Sequence, residues 1–275
     1  MTENKDLKWA DLHIHTRRSD GRMLPEMAVD LAMLQRQTSE FPLSVIAVTD
    51  HESIRGGVEA RDYSLKMGYD LEVIVGAEIT TKDGHLIGLY MTEDVASGKS
   101  LEWTVQQIHK QDGLVIAPHP MYKWTRSLKM ERIMAVMNHT HPGVYFDGFE
   151  LLNAGVGDFY KSLGWLPFVE DYNANTYEFW LNHQDRLGAG IGNSDSHFYA
   201  EGRIVNGYEE DLRESILARR ILVVDTDLPD KKNMVEVVLQ VVSSMALEPS
   251  RRLVRYAERW LDKIEPLAGT VEAQN

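Results

Sequence analysis

Nine side chains able to bind a metal ion or move a proton stand at or just beyond short apolar runs. His13 lies in the first run, residues 12–14, His15 directly follows it, and Asp20 follows in Ser19-Asp20-Gly21. His51 follows the run 43–48 in Thr49-Asp50-His51, and Glu78 follows 71–75 in Gly76-Ala77-Glu78. His85 opens the run 86–90, His119 follows 114–117 in Pro118-His119-Pro120, and Asp195 and His197 follow 189–192. Residues i and i+2 of a strand point to the same side, so His13 with His15, and Asp195 with His197, can each reach one ion. Imidazole is a common metal ligand. Carboxylates buried among imidazoles are costly unless cations compensate them. The set therefore predicts a cluster of divalent cations held by nitrogen and oxygen.

The apolar runs must be the elements that position these groups. They lie at 12–14, 43–48, 71–75, 86–90, 114–117, 149–152, 189–192 and 221–224. All are short, partly β-branched and bounded by Gly, Pro, Asp or Thr, which suits buried parallel strands. Helical patterns occupy 24–38, 56–68, 99–112, 128–138 and 209–219 between them. Alternation of this kind predicts an α/β fold with parallel strands, as a barrel or an open sheet. In a barrel, residues after the strands converge on one face, where active sites are built. Residues 155–186 are rich in aromatics and read as an insertion, either a lid or ordinary core packing. The expected organisation is one barrel over 1–231 and a C-terminal helical appendage over 232–275 packed on it.

Composition narrows the chemistry. The 275 residues contain no cysteine, which excludes disulfides, thiolate zinc sites and cysteine nucleophiles. The formal charge of −13 repels a phosphate backbone, so long nucleic acid is not an expected partner. The N-terminus has no apolar stretch resembling a signal peptide, and no run approaches a membrane helix. A cytoplasmic location without membrane contact is the default expectation, and the oligomeric state is not legible.

His13-x-His15, Ser19-Asp20-Gly21, Thr49-Asp50-His51, Gly76-x-Glu78, Gly84-His85, His119-Pro120 and Ser194-Asp195-Ser196-His197 stand in this order. In that order they resemble the PHP (polymerase and histidinol phosphatase) family, over residues 9 to about 224. The resemblance implies a distorted (β/α)7, TIM-like barrel with two or three divalent metal ions (Mn, Fe or Zn). It implies that His13, His15, Glu78 and Asp195 bind one metal, that Glu78 bridges to a second held by His85 and His119, and that Asp20, His51 and His197 hold a third. The implied reaction is hydrolysis of a phosphate ester of a small phosphorylated metabolite or nucleotide by a hydroxide held between metals. Asp195 takes part as ligand, and His51 or His197 supplies a proton where the third site is empty. Other readings are cleavage of a C–N, carbamate or lactone bond at the same metals, a non-catalytic metal-binding module, and a nuclease acting on short oligonucleotides.

Asn193 departs from the family, where Gly is frequent, and Pro118 stands where Ala is frequent. Asp50 is expected either to orient an imidazole or to cap a helix. Arg17, Lys123, Asn153 and Arg203 are the expected substrate contacts, with Arg18 and Arg126 as further cations near the motifs. His139 and His141 are expected at the opposite barrel end. His109 is expected on a solvent-exposed helix face, and His183 within the aromatic insertion.

Overall fold

The computed structural model describes residues 7–122, 126–138, 140–155, 172–198 and 201–226. The chain divides into two units after Thr226, and the second, 227–275, lies outside the described residues, as does the expected helical appendage.

Strands β1 (Lys8–Ile14), β2 (Leu43–Val48) and β3 (Glu72–Thr80) pair in parallel. Helices α1 (Pro25–Thr38) and α2 (Arg55–Met67) make the two crossovers. α1 begins with Pro25, places Glu26 in its first turn and ends with Arg36 in its last, each favourable to the helix dipole. α2 stops at Gly68, whose φ of 67° forms a left-handed cap. β4 (His85–Leu89) then pairs antiparallel with β3. α3 (Leu101–Lys110), capped by the Ser100 hydroxyl, leads to β5 (Leu114–Ala117), which is antiparallel to β4. β5, β6 (Gly148–Asn153) and β7 (Ala189–Asn193) are parallel again. α4 (Met130–Met137) and α5 (Tyr172–Leu181) precede β6 and β7. β8 (Ile204–Tyr208) pairs antiparallel with β1 and then with β9 (Leu222–Asp225), with α6 (Leu212–Leu217) between them.

The sheet order is β7-β6-β5-β4-β3-β2-β1-β8-β9. It curls until its ends almost meet. Ile14 bridges Ser196 in parallel, and the His15 N–H donates to the Ser196 carbonyl at 2.9 Å. Ala10, Leu12, Val45, Ala47, Ile74, Ile87, Ile116, Ala189 and Ile191 form one apolar cluster, contributed by alternate strand positions. A second cluster joins Ile79, Leu86, Val115 and Phe149 to helix residues such as Val105, Ile108 and Ile133.

The mixed α/β fold with a nearly closed sheet bears out the expected class, but not a uniform run of parallel β/α units. Only residues 81–84 separate β3 from β4, too few for a parallel crossover. Thr81 closes this turn, donating its hydroxyl to the Gly84 carbonyl at 2.6 Å. The run 221–224 forms the outer edge strand β9 rather than an inner parallel strand, and β8 has no counterpart among the sequence runs. Part of the aromatic segment 155–186 falls outside the described residues. Within its described part, Phe179 and Trp180 of α5 pack against the second cluster, and Trp180 Nε1 donates to the Gly188 carbonyl.

Candidate metal centre

All nine candidates, His13, His15, Asp20, His51, Glu78, His85, His119, Asp195 and His197, fall into overlapping groups whose ligand atoms lie within 4.8 Å of one another. Glu78 is the hub. Its Oε1 lies 2.7 Å from His85 Nδ1 and 3.0 Å from His119 Nε2. Its Oε2 lies 3.2 Å from His15 Nε2, 3.3 Å from His13 Nε2 and 3.5 Å from His51 Nδ1. Asp195 Oδ1 lies 3.4 Å from both His13 and His15 Nε2 and 3.5 Å from His197 Nδ1. Asp20 Oδ2 faces His197 Nε2 at 3.3 Å and His51 Nε2 at 3.6 Å.

This donor set fits divalent cations. Five imidazoles surround one carboxylate, more than its lone pairs can serve well. Nε2 of His13 and Nε2 of His15 face each other at 3.0 Å while both also face Glu78 and Asp195. Two ring nitrogens aimed at each other and at two carboxylates can all be satisfied by a positive ion between them. Access is graded. The His13 and His15 side chains are wholly buried, His51 and His197 are 25% and 31% exposed, and Asp20 is 56% exposed. The mouth of the site is therefore at Asp20, His51 and His197.

Charge in the cation-free cluster is arranged accordingly. Burial alone would raise Glu78 and Asp195, but His13 and the neighbouring imidazoles hold both carboxyls well below their usual range. Burial would lower His15, yet its bonds to Asp195 and Glu78 raise it to about 9. His13 moves far upward against burial because Asp195, Glu78 and Glu150 face it. His51 goes the other way, lowered by burial and by its imidazole neighbours.

Local backbone aims these groups. Asp195 and His119 have φ of 50° and 27°, in the left-handed region that costs non-glycine residues about 1–3 kcal/mol and persists only where the surroundings enforce it. The loop 16–23 folds back on β1, with the Arg17 N–H donating to the Met23 carbonyl at 2.6 Å. Gly21 is required there, since a Cβ would lie 2.3 Å from the His15 carbonyl oxygen. This fold-back carries Asp20 to the cluster.

Several supporting residues were not singled out from sequence. Glu150 is buried in β6. Its Oε1 faces His13 Nδ1 at 3.1 Å and accepts from Asn193 at 2.9 Å; its Oε2 accepts from Asn153 at 2.9 Å and from the His119 N–H. Asp11, also buried, accepts from the Ser194 hydroxyl and N–H and from the Gly202 N–H. Burial, only partly offset by these bonds, raises it to about 6. Ser127 bonds His119 Nδ1 at 2.8 Å. The available signal was a charged residue inside an otherwise apolar run, which rarely occurs without a partner. The unusual Asn193 is explained by the same network, because its Oδ1 also accepts the Leu12 N–H across the β7–β1 seam.

The remaining expectations fare variously. Asn153, expected to face substrate, is buried and donates its amide to Glu150 and Asp195, so it fixes two carboxylates. Asp50 neither orients an imidazole directly nor caps α2. It accepts from the Thr16 N–H and hydroxyl and from Ser19, anchoring the loop that bears Asp20. Arg17 is exposed at the mouth, while Arg18 is tied to Glu59. Arg203 is half-buried where β8 begins, at the sheet end where β1 finishes. Arg126 is exposed, and Lys123 and His139 lie outside the described residues. His109 is not solvent-exposed as expected: it bonds Asp147 at 2.9 Å and stacks on Tyr145. His141 is exposed, and His183 bonds the Phe179 carbonyl.

No protein-family model matches the chain. It is 37% identical over 150 residues to an uncharacterised protein of Methanocaldococcus jannaschii, covering 53% of this chain and 81% of that one. It is 31% identical over 106 residues to the 5′-3′ exoribonuclease Rnm of Escherichia coli, covering 37% of this chain and 33% of that protein. Among solved structures, it resembles a two-domain protein of Bacteroides vulgatus containing a predicted PHP-like metal-dependent phosphoesterase. There the TM-score is 0.59 at 19% identity, over 85% of this chain and 69% of that one. An amidohydrolase of Chromobacterium violaceum gives a TM-score of 0.50 at 15% identity, over 82% and 99%. The structural likenesses speak for the fold alone.

The exoribonuclease overturns one expectation, that the partner is a small molecule and long nucleic acid is excluded. A charge of −13 is a sum over the whole chain and does not fix the potential at one mouth. Here Arg17, Arg18 and Arg22 are all exposed on the loop that carries Asp20. Among the described residues no helix is long and apolar enough to cross a membrane.

Proposed function

The chain belongs to the polymerase and histidinol phosphatase family, and on that premise we propose that it is a metal-dependent phosphoesterase that cleaves phosphate esters of nucleic acid. The convergence of five imidazoles on the Glu78 carboxylate carries this reading, because it is a site built for more than one cation. His13, His15, Glu78 and Asp195 would hold one ion, and Glu78, His85 and His119 a second. Asp20, His51 and His197 would hold a third, with His15 within reach of that group. Manganese, iron or zinc suits these nitrogen and oxygen donors. Bound divalent ions would lower the pKa of water and neutralise charge on the phosphoryl oxygens.

The chain's own groups do the rest. Glu150 fixes the ring of His13 through Nδ1 and so aims Nε2 at Glu78 and Asp195. Asn153 holds Asp195 from the side away from the imidazoles, through Oδ2. Where the outer group carries no ion, Nε2 of His197 would give a proton to the leaving oxygen, and His51, whose pKa burial lowers, would be the weaker donor. Arg17 spends one donor on the Arg22 carbonyl at 3.0 Å and keeps the rest of its guanidinium for a phosphate. Arg203 and Lys123 are the further candidates for that contact. The exoribonuclease relative supports nucleic acid as the substrate class, over the third of its length that is matched.

The test is cleavage of a 5′-phosphorylated single-stranded oligonucleotide, beside a chromogenic phosphomonoester and diester. The protein is first stripped with chelator and then reloaded with Mn²⁺. The expected result is strand cleavage that chelation removes and Mn²⁺ restores. Fully loaded protein that leaves all three substrates intact would overturn the proposal.

A further inference from the structure

At the mouth of the cluster stands an aromatic ring that the core does not use. Phe198 directly follows His197 and is 50% exposed. The Arg22 guanidinium lies over this ring, 4.5 Å from its centroid. The Arg22 N–H donates to the His197 carbonyl at 2.9 Å, so ring and arginine hang from the same short stretch of backbone as a cluster imidazole. Arg17 adds a second guanidinium at this edge, since its Nε bonds the Arg22 carbonyl. The three most open members of the cluster, Asp20, His51 and His197, lie along the same rim.

A half-open ring backed by a cation, next to a phosphate-handling site and beside a second arginine, has the composition of a base-stacking platform. Every nucleobase offers a π-face, so such a platform is tolerant of sequence, and neighbouring arginines track the backbone. Inside a duplex both faces of a base are already stacked, whereas an unpaired terminal base can present a whole face to the ring.

We propose that Phe198, backed by Arg22, stacks on an unpaired nucleobase next to the phosphate being cleaved, so that the enzyme acts on single-stranded ends. This rests on the reading of the cluster as a nucleic-acid phosphoesterase. Phe198 is a specificity-determining residue in this account and takes no part in the chemistry.

The test uses an oligonucleotide carrying 2-aminopurine at its terminal position, bound to metal-stripped protein. Stacking quenches the probe. Phe198→Ala should lose the quench and weaken binding by about tenfold, within the range of one base–aromatic stack, while Phe198→Trp should keep both. With Mn²⁺ restored, the kcat/KM ratio of the single strand over its terminally abasic counterpart should fall by a similar factor in Phe198→Ala. A Phe198→Ala protein that quenches and discriminates like the wild type would overturn the platform. Wild-type protein that quenches the probe yet cleaves no strand would instead overturn the nuclease reading and leave the stack as a binding property.

Discussion

Replacing Glu150 by glutamine tests whether the carboxylate behind the cluster sets its geometry. Glu150 takes four donors: His13 Nδ1 and Asn193 on one oxygen, the His119 N–H and Asn153 on the other. Glutamine keeps one oxygen and turns an NH2 toward the other pair. Whichever way it flips, two buried donors lose their acceptor, at about 1–3 kcal/mol each, so about 2–6 kcal/mol together if nothing relaxes. One of the two orientations also frees the His13 ring, whose Nε2 then no longer points at Glu78 and Asp195. Loss of such a supporting partner typically lowers metal affinity about 10- to 100-fold. Urea unfolding of the metal-stripped protein gives the first quantity, and Mn²⁺ titration by calorimetry the second. A variant within about 0.5 kcal/mol of the wild type, as for an ordinary surface change, and with the same Mn²⁺ affinity would refute the reasoning.

Protons and cations should compete for the cluster. His15 sits at about 9 in the cation-free fold against an ordinary 6.5, and His13 and His119 are also raised. The contribution of His15 to cation-free stability is thus full below pH 6.5 and is lost as pH rises through about 9, and those of His13 and His119 are lost in the same direction. Mn²⁺ affinity should rise over the same window by about tenfold per pH unit for each proton displaced, with proton release visible in buffers of different ionisation enthalpy; a flat profile would contradict this. Glu201 is buried, its Oε1 has no hydrogen-bond partner among the described residues, and burial pushes it to about 8 from 4.5. The unfolded chain ionises first, so this group costs stability progressively from pH 4.5 to 8. Glu201→Gln should flatten the slope there by up to about 1.4 kcal/mol per unit in denaturant midpoints at several pH values. Gly21→Ala would put a Cβ 2.3 Å from the His15 carbonyl oxygen, so it should displace the Asp20 loop and reduce the number of Mn²⁺ ions bound by a protein that still unfolds cooperatively.

How far the sequence could be read depended on whether a signal was local. The candidate ligands were legible because most stand within or just beside an apolar run, and the structure gathers all nine into overlapping groups. Strand direction was not legible. β4 is buried along its whole length, so its apolar pattern is the same for a parallel or an antiparallel neighbour, and only the brevity of 81–84 betrays the hairpin. β9 is partly exposed, and four apolar residues do not distinguish an inner strand from an edge. The roles of the residues behind the site were not legible for another reason. Glu150, Asp11 and Asn193 act through partners tens to nearly two hundred positions away, and no spacing rule within one sequence connects them. Asn153 was placed at the correct strand end, but its bonds to Glu150 and Asp195 could not be read from that position. The charge argument failed because a whole-chain sum conceals a local cluster of arginines beside the site.

The central claim is that Glu78 organises a cation cluster whose occupancy is required for phosphoester cleavage. The most direct measurement is on Glu78→Ala, comparing metal ions bound per chain by elemental analysis with Mn²⁺-dependent cleavage of a single-stranded oligonucleotide, wild type and variant prepared alike. The account predicts that the variant stays folded by circular dichroism, binds fewer ions and loses cleavage. Full cleavage by the variant, or loss of cleavage with every ion still bound, would contradict it.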